Sequence, residues 1–137
     1  MMATPEAKNY SILIADDDGN TREALRQIVE PEGYRTLTAS SGEEALDILH
    51  EDPVHLLLLD MHMRTLTGLE TLRLARQFHA MLPAILVTGS ADEHLLREAC
   101  QEHVYSVIPK PVSKNVVLYT VVRALSRFYG RPGSRWR

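Results

Sequence analysis

The sequence predicts an α/β fold in which five parallel strands form an open, doubly wound sheet with helices on both faces. Short apolar runs of strand length alternate five times with segments of helical spacing, and a strand comes first each time. The third run, over residues 54–59, is almost continuously apolar, which is typical of a central parallel strand covered on both sides. Such β–α units connect through right-handed crossovers.

The predicted strands follow the apolar runs in order along the chain. They are Ser11–Ala15, Tyr34–Ala39, Val54–Leu59, Ala84–Val87 and Val104–Ile108. The first three helices are indicated by apolar residues that share one helix face. These are Leu25, Ile28 and Val29 in the first helix, Ala45, Leu46 and Leu49 in the second, and Leu69, Leu72 and Ala75 in the third.

Polar residues and a glycine indicate where the first two helices begin and end. Ser41 followed by Glu44 predicts a capping box at the start of the second helix, because each side chain can bond the other residue's free backbone N–H. Asn20 followed by Glu23 is a weaker form of the same signal for the first helix. Gly33 is expected to end that helix in a left-handed conformation.

The segment over residues 115–122 carries conflicting signals. It is rich in β-branched residues, which favour strands. Its apolar residues nevertheless recur about every four positions, at Val117, Val121, Leu125 and Phe128. Ser113 can cap a helix that begins after it. We therefore predict that this segment belongs to the fifth helix.

Composition excludes several classes of protein. A chain of 137 residues allows one domain of ordinary size, and a formal net charge of −3 gives no reason to expect nucleic acid or a membrane surface as a partner. Cys100, the single cysteine, cannot form an internal disulfide and is typical of a reducing compartment. The N-terminus, MMATPEAKNY, has no apolar stretch of signal-peptide length, and no segment is long enough to span a bilayer. A cytoplasmic protein is expected.

Chemically active residues directly follow four of the five predicted strands. In a doubly wound sheet, ligands bind beyond the carboxyl ends of the strands, so these residues are expected to converge there. They are Asp16, Asp17 and Asp18 after the first strand, Asp60 after the third, Thr88 after the fourth, and Lys110 with Pro111 after the fifth.

This set of residues predicts phosphoryl chemistry with a divalent cation. Neighbouring carboxylates resist joint ionisation unless they share a cation, and Mg²⁺ prefers hard oxygen ligands and needs only a few from the protein. A carboxylate can attack a phosphoryl group to give an aspartyl phosphate. An ammonium and a hydroxyl can then neutralise and bond the phosphoryl oxygens.

Five stretches of the chain, in order and at matching spacing, resemble the receiver domains of response regulators. They are ILIADDD, EGYRTLTASSGEEAL, LLLLDMHM with Gly68 eight residues after Asp60, ILVTGSA and IPKPV. The resemblance implies a flavodoxin-like (βα)₅ sheet with strand order 2-1-3-4-5. It implies a receiver domain over residues 10–130, a flexible N-terminus at 1–9, and a tail or the start of a linker at 131–137.

The resemblance assigns roles at the metal and the phosphoacceptor. Asp60 is implied to be the residue that is phosphorylated and also a Mg²⁺ ligand. Asp17 is implied to bind the metal directly, Asp16 mainly through water, and Met61 through its backbone carbonyl. Asp18 is interpreted as a cap rather than a ligand, because acids after a strand often close a turn.

The resemblance also assigns residues around the phosphoryl group. Lys110 is implied to pair with Asp60 and then with the phosphoryl group, with a cis peptide bond to Pro111. Thr88 is implied to give its hydroxyl to a phosphoryl oxygen after a small movement. His62 and Ser90 are implied to line the rim of the site. The other histidines are interpreted as surface or edge residues: His50, His55, His79, His94 and His103.

Two positions depart from the pattern of the family. Arg64 stands where a proline is usual, so the loop after Asp60 is expected to be less rigid. Val107 stands where the family has an aromatic switch residue that works with Thr88. Tyr105 is two positions earlier, and residues two apart in a strand point to the same side, so we expect it to replace the aromatic only imperfectly.

The main hypothesis is a phosphorylation switch that turns over no external substrate. A sensor histidine kinase or phosphotransfer protein would donate the phosphoryl group to Asp60. The face formed by the fourth helix, fifth strand and fifth helix would then change its preference for a downstream effector or form a homodimer. No direct contact with nucleic acid is expected from this domain. A single-domain regulator and a receiver excised from a longer chain both remain open.

Two other functions compete with this hypothesis. An aspartate-based phosphatase or phosphotransferase would also use the LLLLDMHM motif, but it needs a second Asp two residues after the first, where this chain has His62. A receiver fold can also act only as a docking module without phosphorylation. The complete set of three acids, Thr88 and Lys110 argues against that reading.

Overall fold

Five parallel strands form one sheet in the order β2-β1-β3-β4-β5, as the resemblance implied. The strands are β1 (Ser11–Ala15), β2 (Arg35–Ala39), β3 (Leu56–Asp60), β4 (Ala84–Thr88) and β5 (Ser106–Pro109). The computed structural model describes residues 10–130. The expectations of a flexible N-terminus at 1–9 and a tail at 131–137 concern residues outside that range.

A helix follows each strand, as the alternation of the sequence predicts. The helices are α1 (Gly19–Val29), α2 (Gly42–Glu51), α3 (Gly68–Ala75), α4 (Glu93–Gln101) and α5 (Lys114–Tyr129). A short 3₁₀ turn, Glu30–Glu32, extends α1 and ends at Gly33, whose φ of 99° is left-handed as expected. Between residues 10 and 130, no helix combines the length and apolar character needed to cross a bilayer.

The sheet separates two layers of the hydrophobic core. One layer packs with α2, α3 and α4, and the other packs with α1 and α5. Leu57 and Leu59 of β3 belong to the first layer, whereas Leu56 and Leu58 belong to the second. All four side chains are fully buried, which is why this strand is apolar at every position rather than at alternate ones.

The fifth helix forms despite its β-branched residues. Val117 and Val121 are both fully buried in the layer that packs with α1. Burial of this apolar face outweighs the small intrinsic preference of valine for strands. Ser113 occupies the N-cap position of α5, as predicted. Its side chain makes no capping hydrogen bond to the helix.

The first helix begins earlier than the sequence signal at Asn20 indicates. Asp18 caps it: the carboxylate accepts hydrogen bonds from the Asn20 backbone N–H at 3.3 Å and from the Thr21 hydroxyl at 2.7 Å. Asn20 therefore lies inside the helix and the predicted pairing of Asn20 with Glu23 is wrong. The interpretation of Asp18 as a cap is confirmed.

Only half of the capping box predicted for α2 is present. The Ser41 hydroxyl accepts from the Glu44 backbone N–H at 3.0 Å, as expected. The Glu44 carboxylate instead accepts from the backbone N–H of Ser40, at 2.7 Å, and from the Ser40 hydroxyl. Two donors on Ser40 compete successfully with the single backbone donor of Ser41. A complete capping box, which was not predicted, is present at the start of α3 between Thr67 and Glu70.

Tyr105 and Val107 point to opposite sides of the sheet, so the prediction that they share a side is wrong. Tyr105 packs against the α1 and α5 layer, where its ring meets Phe128 edge-on with ring centroids 6.3 Å apart. Val107 packs against the layer on the other face. The reason is that β5 begins at Ser106. Tyr105 precedes the strand, and the two-residue alternation of a strand does not extend to it.

Candidate functional site

The chemically active residues meet because β1 and β3 are neighbours in the sheet. Ala15 lies opposite Leu59, which places Asp16 beside Asp60 at the carboxyl ends of these strands. The strand order reverses at this point, since β1 and β3 are adjacent and the chain passes from one side of β1 to the other. This edge is where a doubly wound sheet binds its ligand.

Three carboxylates form the acidic part of the site. One oxygen from each of Asp16, Asp17 and Asp60 lies within 4.8 Å of the other two. Asp16 and Asp60 are buried, with 1% and 4% of their surface exposed, whereas Asp17 is accessible to solvent. The arrangement concentrates negative charge in a place with little water to screen it.

Lys110 supplies the positive charge of the site. Its Nζ lies 3.2 Å from Asp60 Oδ1 and 3.2 Å from Asp16 Oδ2, and its backbone N–H donates to the Thr88 carbonyl at 2.9 Å. Burial alone would lower the pKa of Lys110, but the charges of Asp16 and Asp60 and the hydrogen bond to Asp60 raise it above its ordinary value. The ammonium therefore stays charged. The peptide bond to Pro111 is cis, as the resemblance implied.

The turn after β1 holds Asp16 in place. Its Oδ1 accepts from the Asp18 backbone N–H at 2.8 Å, and the Arg22 guanidinium donates to its backbone carbonyl at 2.7 Å. Burial raises the pKa of the Asp16 carboxyl, the Asp18 N–H opposes that change, and the charge of Asp60 adds to it. Arg22 could not be predicted from the sequence, because an arginine on a helix does not indicate which backbone carbonyl its side chain will contact.

The residues present fit a divalent cation. Asp16 Oδ2 is buried and, although Lys110 is close, accepts no directed hydrogen bond from the described residues. Three carboxylates facing one ammonium leave two negative charges, which a dication neutralises. The oxygen-only donor set is the kind that Mg²⁺ prefers. Asp16, Asp17 and Asp60 are the side chains that can hold it.

The segment after Asp60 is fixed by a close approach of α3 to the end of β3. The Gly68 N–H donates to the Met61 carbonyl at 2.9 Å. A Cβ on residue 68 would lie 2.5 Å from the Asp60 carbonyl oxygen and 3.1 Å from the Met61 Cα. Only glycine allows this contact. The sequence showed the spacing of Gly68 from Asp60, but not the backbone contact that requires it.

The remaining residues of the site line its opening. Thr88 is buried, and its hydroxyl accepts from the Ser90 backbone N–H at 3.2 Å. Ser90 and His62 are exposed, in keeping with the rim positions implied for them. The His62 backbone N–H donates to Asp60 Oδ1 at 3.3 Å. Arg64, at the position where the family has proline, is exposed.

Comparisons with known proteins agree with this fold. The profile of the response regulator receiver domain matches residues 12–122. Response regulator RR06 of Streptococcus pneumoniae is 32% identical over 127 residues, which cover 93% of this chain and 58% of that protein. The DNA-binding transcriptional regulator NtrC of Klebsiella pneumoniae is 33% identical over 115 residues, 84% of this chain and 24% of that protein. The chain thus spans less than two thirds of the length of either relative.

A solved structure shows the same architecture. The CheY-like response regulator receiver domain protein of Methanospirillum hungatei superimposes with a TM-score of 0.82 at 28% identity, over 86% of this chain and 94% of that one. The fold and the acidic edge of the sheet are those of an α/β signalling domain of the receiver type. The chain belongs to the response regulator receiver domain family of two-component systems.

Proposed function

We propose that residues 10–130 form a receiver domain that is phosphorylated on Asp60 by a histidine kinase or phosphotransfer protein in the presence of Mg²⁺. One observation carries the proposal. The three carboxylates Asp16, Asp17 and Asp60 meet within 4.8 Å, and the ammonium of Lys110 lies 3.2 Å from two of them. This is the arrangement that an aspartyl phosphate and a dication require together.

The two oxygens of Asp60 are in different environments. Oδ1 accepts from Lys110 Nζ at 3.2 Å and from the His62 N–H at 3.3 Å. Among residues 10–130, no donor bonds Oδ2. That oxygen is therefore the one available to form the new O–P bond, while the bond from phosphorus to the donor's nitrogen breaks. The donors on Oδ1 hold the carboxylate in place during the attack.

Lys110 and Thr88 then act on the phosphoryl group. Lys110 keeps its charge and can pair with a phosphoryl oxygen near Asp60. The Thr88 hydroxyl donates to the Ser90 carbonyl at 3.5 Å, and it must turn away from that carbonyl to donate to another phosphoryl oxygen. Mg²⁺, when bound, neutralises the negative charge that accumulates as the phosphoryl group is transferred. The same residues would serve loss of the phosphoryl group to water, and no external substrate is turned over.

The partner surface lies on α4, β5 and α5. The exposed large apolar side chains there include Leu96 at 46%, Val116 at 45% and Tyr119 at 65%. Exposed apolar side chains on adjacent elements are typical of a surface that meets another protein. We propose that this face binds a downstream effector or a second copy of the chain when Asp60 is phosphorylated. Direct contact with nucleic acid is not part of the proposal.

The experiment that tests the function uses Mg²⁺ with a small phosphodonor. Wild-type chain incubated with acetyl phosphate and Mg²⁺ is expected to gain one phosphoryl group, and none when Mg²⁺ is chelated. We expect Asp17→Ala to weaken Mg²⁺ binding by at least about 10–100-fold, the loss that follows removal of even an outer partner of a metal. Intact mass and NMR shifts during Mg²⁺ titration measure these effects.

Asp18→Asn is the matched control for this test. Asp18 is the next residue in the acidic run, but it caps α1 and lies outside the carboxylate cluster. The control should bind Mg²⁺ and gain the phosphoryl group as the wild type does. Equal Mg²⁺ affinity in wild type and Asp17→Ala, or labelling without Mg²⁺, would remove the basis of the proposed metal site.

A second prediction concerns the conformational response. Beryllofluoride with Mg²⁺, a mimic of the phosphoryl group, is expected to shift backbone NMR signals strongly around residues 88–92, because the Thr88 hydroxyl must turn away from the Ser90 carbonyl. The Tyr105 ring should change little, since it packs beside Phe128 on the α1 and α5 side of the sheet. Thr88→Ala should abolish the shifts at residues 88–92. A large change in the exposure of the Tyr105 ring would show that Tyr105 is the aromatic switch.

A further inference from the structure

A cluster of three rings lies at the end of the sheet opposite the carboxylates. His55, directly before β3, meets Tyr10 edge-on with ring centroids 5.2 Å apart and Tyr129 edge-on at 5.4 Å. Tyr10 and Tyr129 also contact each other, at 5.5 Å. Tyr10 precedes β1 and Tyr129 is the last residue of α5. The cluster therefore joins two strands of the sheet to the end of the final helix.

Hydrogen bonds fix the His55 ring in one protonation state. The Ser11 backbone N–H donates to His55 Nδ1 at 3.0 Å, and the His55 backbone N–H donates to the Ser11 carbonyl at 2.9 Å. The Tyr129 hydroxyl donates to the His55 carbonyl at 2.8 Å. Since Nδ1 accepts a hydrogen bond, the neutral ring carries its proton on Nε2. A proton on Nδ1 would point at the Ser11 N–H. Both groups would then be donors, and the hydrogen bond between them would be lost.

We propose that the Tyr10–His55–Tyr129 cluster is a proton-sensitive contact in which neutral His55 holds the last turn of α5 against the sheet. Protonation of Nδ1 forces the ring away from Ser11, and the edge-on contacts to the two tyrosines are lost with it. Ser11 is buried, so its N–H has no water to replace the ring. None of the residues that form the contact belongs to the carboxylate cluster around Asp60.

His79 is the main charged neighbour of His55. Tyr10 and Tyr129 stay uncharged in acid, because the ordinary pKa of tyrosine is 10.0. Burial raises the pKa of each above that value. His79, in the connection between α3 and β4, is close enough for its charge to oppose a charge on His55. On the β2 side, Arg35 approaches the Ser11 hydroxyl at 3.4 Å and pairs with Asp52 at 3.4 Å.

The direction of the pH dependence follows from these contacts. Burial lowers the pKa of His55 below its ordinary value of 6.5, and His79 lowers it further. The unfolded chain therefore takes up this proton at a higher pH than the folded chain does. The contribution of His55 to stability is complete above about pH 6.5 and is lost as the pH falls toward its folded pKa.

NMR titration of the full chain between about pH 8 and pH 5, the range in which histidines change charge, tests the proposal. We expect the His55 ring to titrate below 6.5, the ordinary value. The amide signals of Ser11 and Gly130 should follow the same curve, because one lies at Nδ1 and the other follows Tyr129. His55→Gln should abolish both amide responses.

His79→Gln is the matched control. It removes the neighbouring charge but keeps the ring cluster, so Ser11 and Gly130 should still titrate together, with a midpoint closer to 6.5. If His55→Gln does not fold, the wild-type titration alone decides. A His55 midpoint at or above 6.5, or Ser11 and Gly130 amides that stay constant while the His55 ring titrates, would overturn the proposal.

Discussion

An Asp60→Asn variant is expected to incorporate no acid-labile, hydroxylamine-sensitive phosphate from acetyl phosphate. The amide has nearly the shape of the carboxylate, so the contacts of residue 60 with Lys110 and the His62 N–H can largely persist. It lacks the anionic oxygen that forms the O–P bond. The variant therefore removes the nucleophilic oxygen but leaves the structure around residue 60 nearly unchanged. Intact mass after incubation with acetyl phosphate and Mg²⁺ measures the loss.

Asp18→Asn makes the same chemical change two residues after Asp16. Its side chain caps α1 instead of joining the carboxylate cluster, and asparagine caps a helix about as well as aspartate does. Labelling should therefore be retained. Phosphate that remains in Asp60→Asn at the wild-type level would show that another residue is the acceptor. Peptide mapping of the labelled chain would then identify it.

Gly68→Ala is expected to destabilise the fold by about 1–3 kcal/mol, the usual cost of forcing an extra methyl group into a packed region. The new Cβ would meet the Asp60 carbonyl oxygen at 2.5 Å, and backbone atoms cannot rotate away as a side chain can. Either α3 or the end of β3 must move. Urea unfolding followed by far-ultraviolet circular dichroism measures the change in the free energy of unfolding.

The same substitution at Gly19 is the control for Gly68→Ala. The nearest atom to a Cβ there is the end of the Arg22 side chain, at 3.6 Å, an ordinary contact. Gly19→Ala should therefore change stability by no more than about 0.5 kcal/mol. Equal stability of the two variants would show that α3 and the end of β3 separate easily. Because the clash lies at the backbone of Asp60, whose carboxylate belongs to the acidic cluster, the Gly68→Ala variant should bind Mg²⁺ more weakly as well.

The arrangement of the site was predictable because strand ends are visible in the sequence. Asp16, Asp60, Thr88 and Lys110 each stand at or just past the end of an apolar run. In a parallel sheet the carboxyl ends of the strands share one edge, so strand order and hydrophobic pattern together bring these residues close. The chemistry of the residue types then indicated a dication without any distance being known.

Other features depend on distances that the sequence does not contain. Asp17 and Asp18 are identical in type, and only the path of the turn decides that one joins the carboxylates while the other caps α1. The side of the sheet on which Tyr105 lies depends on whether β5 includes it, and strand ends are uncertain by a residue or two. The ring contacts of His55 join residues that are far apart in the chain.

The proposed cation site takes carboxylates from the ends of both β1 and β3. The affinity for the cation therefore depends on the register between these two strands. Asp16 and Asp60 come from segments more than 40 residues apart, and they meet only because Ala15 lies opposite Leu59. Sliding β1 by two residues would keep every side chain on its own face and preserve the core pattern. It would also move Asp16 about 7 Å along β3, since each residue advances a strand by about 3.3 Å. A variant that keeps its secondary structure and its carboxylates but loses Mg²⁺ affinity would thus reveal misaligned strands.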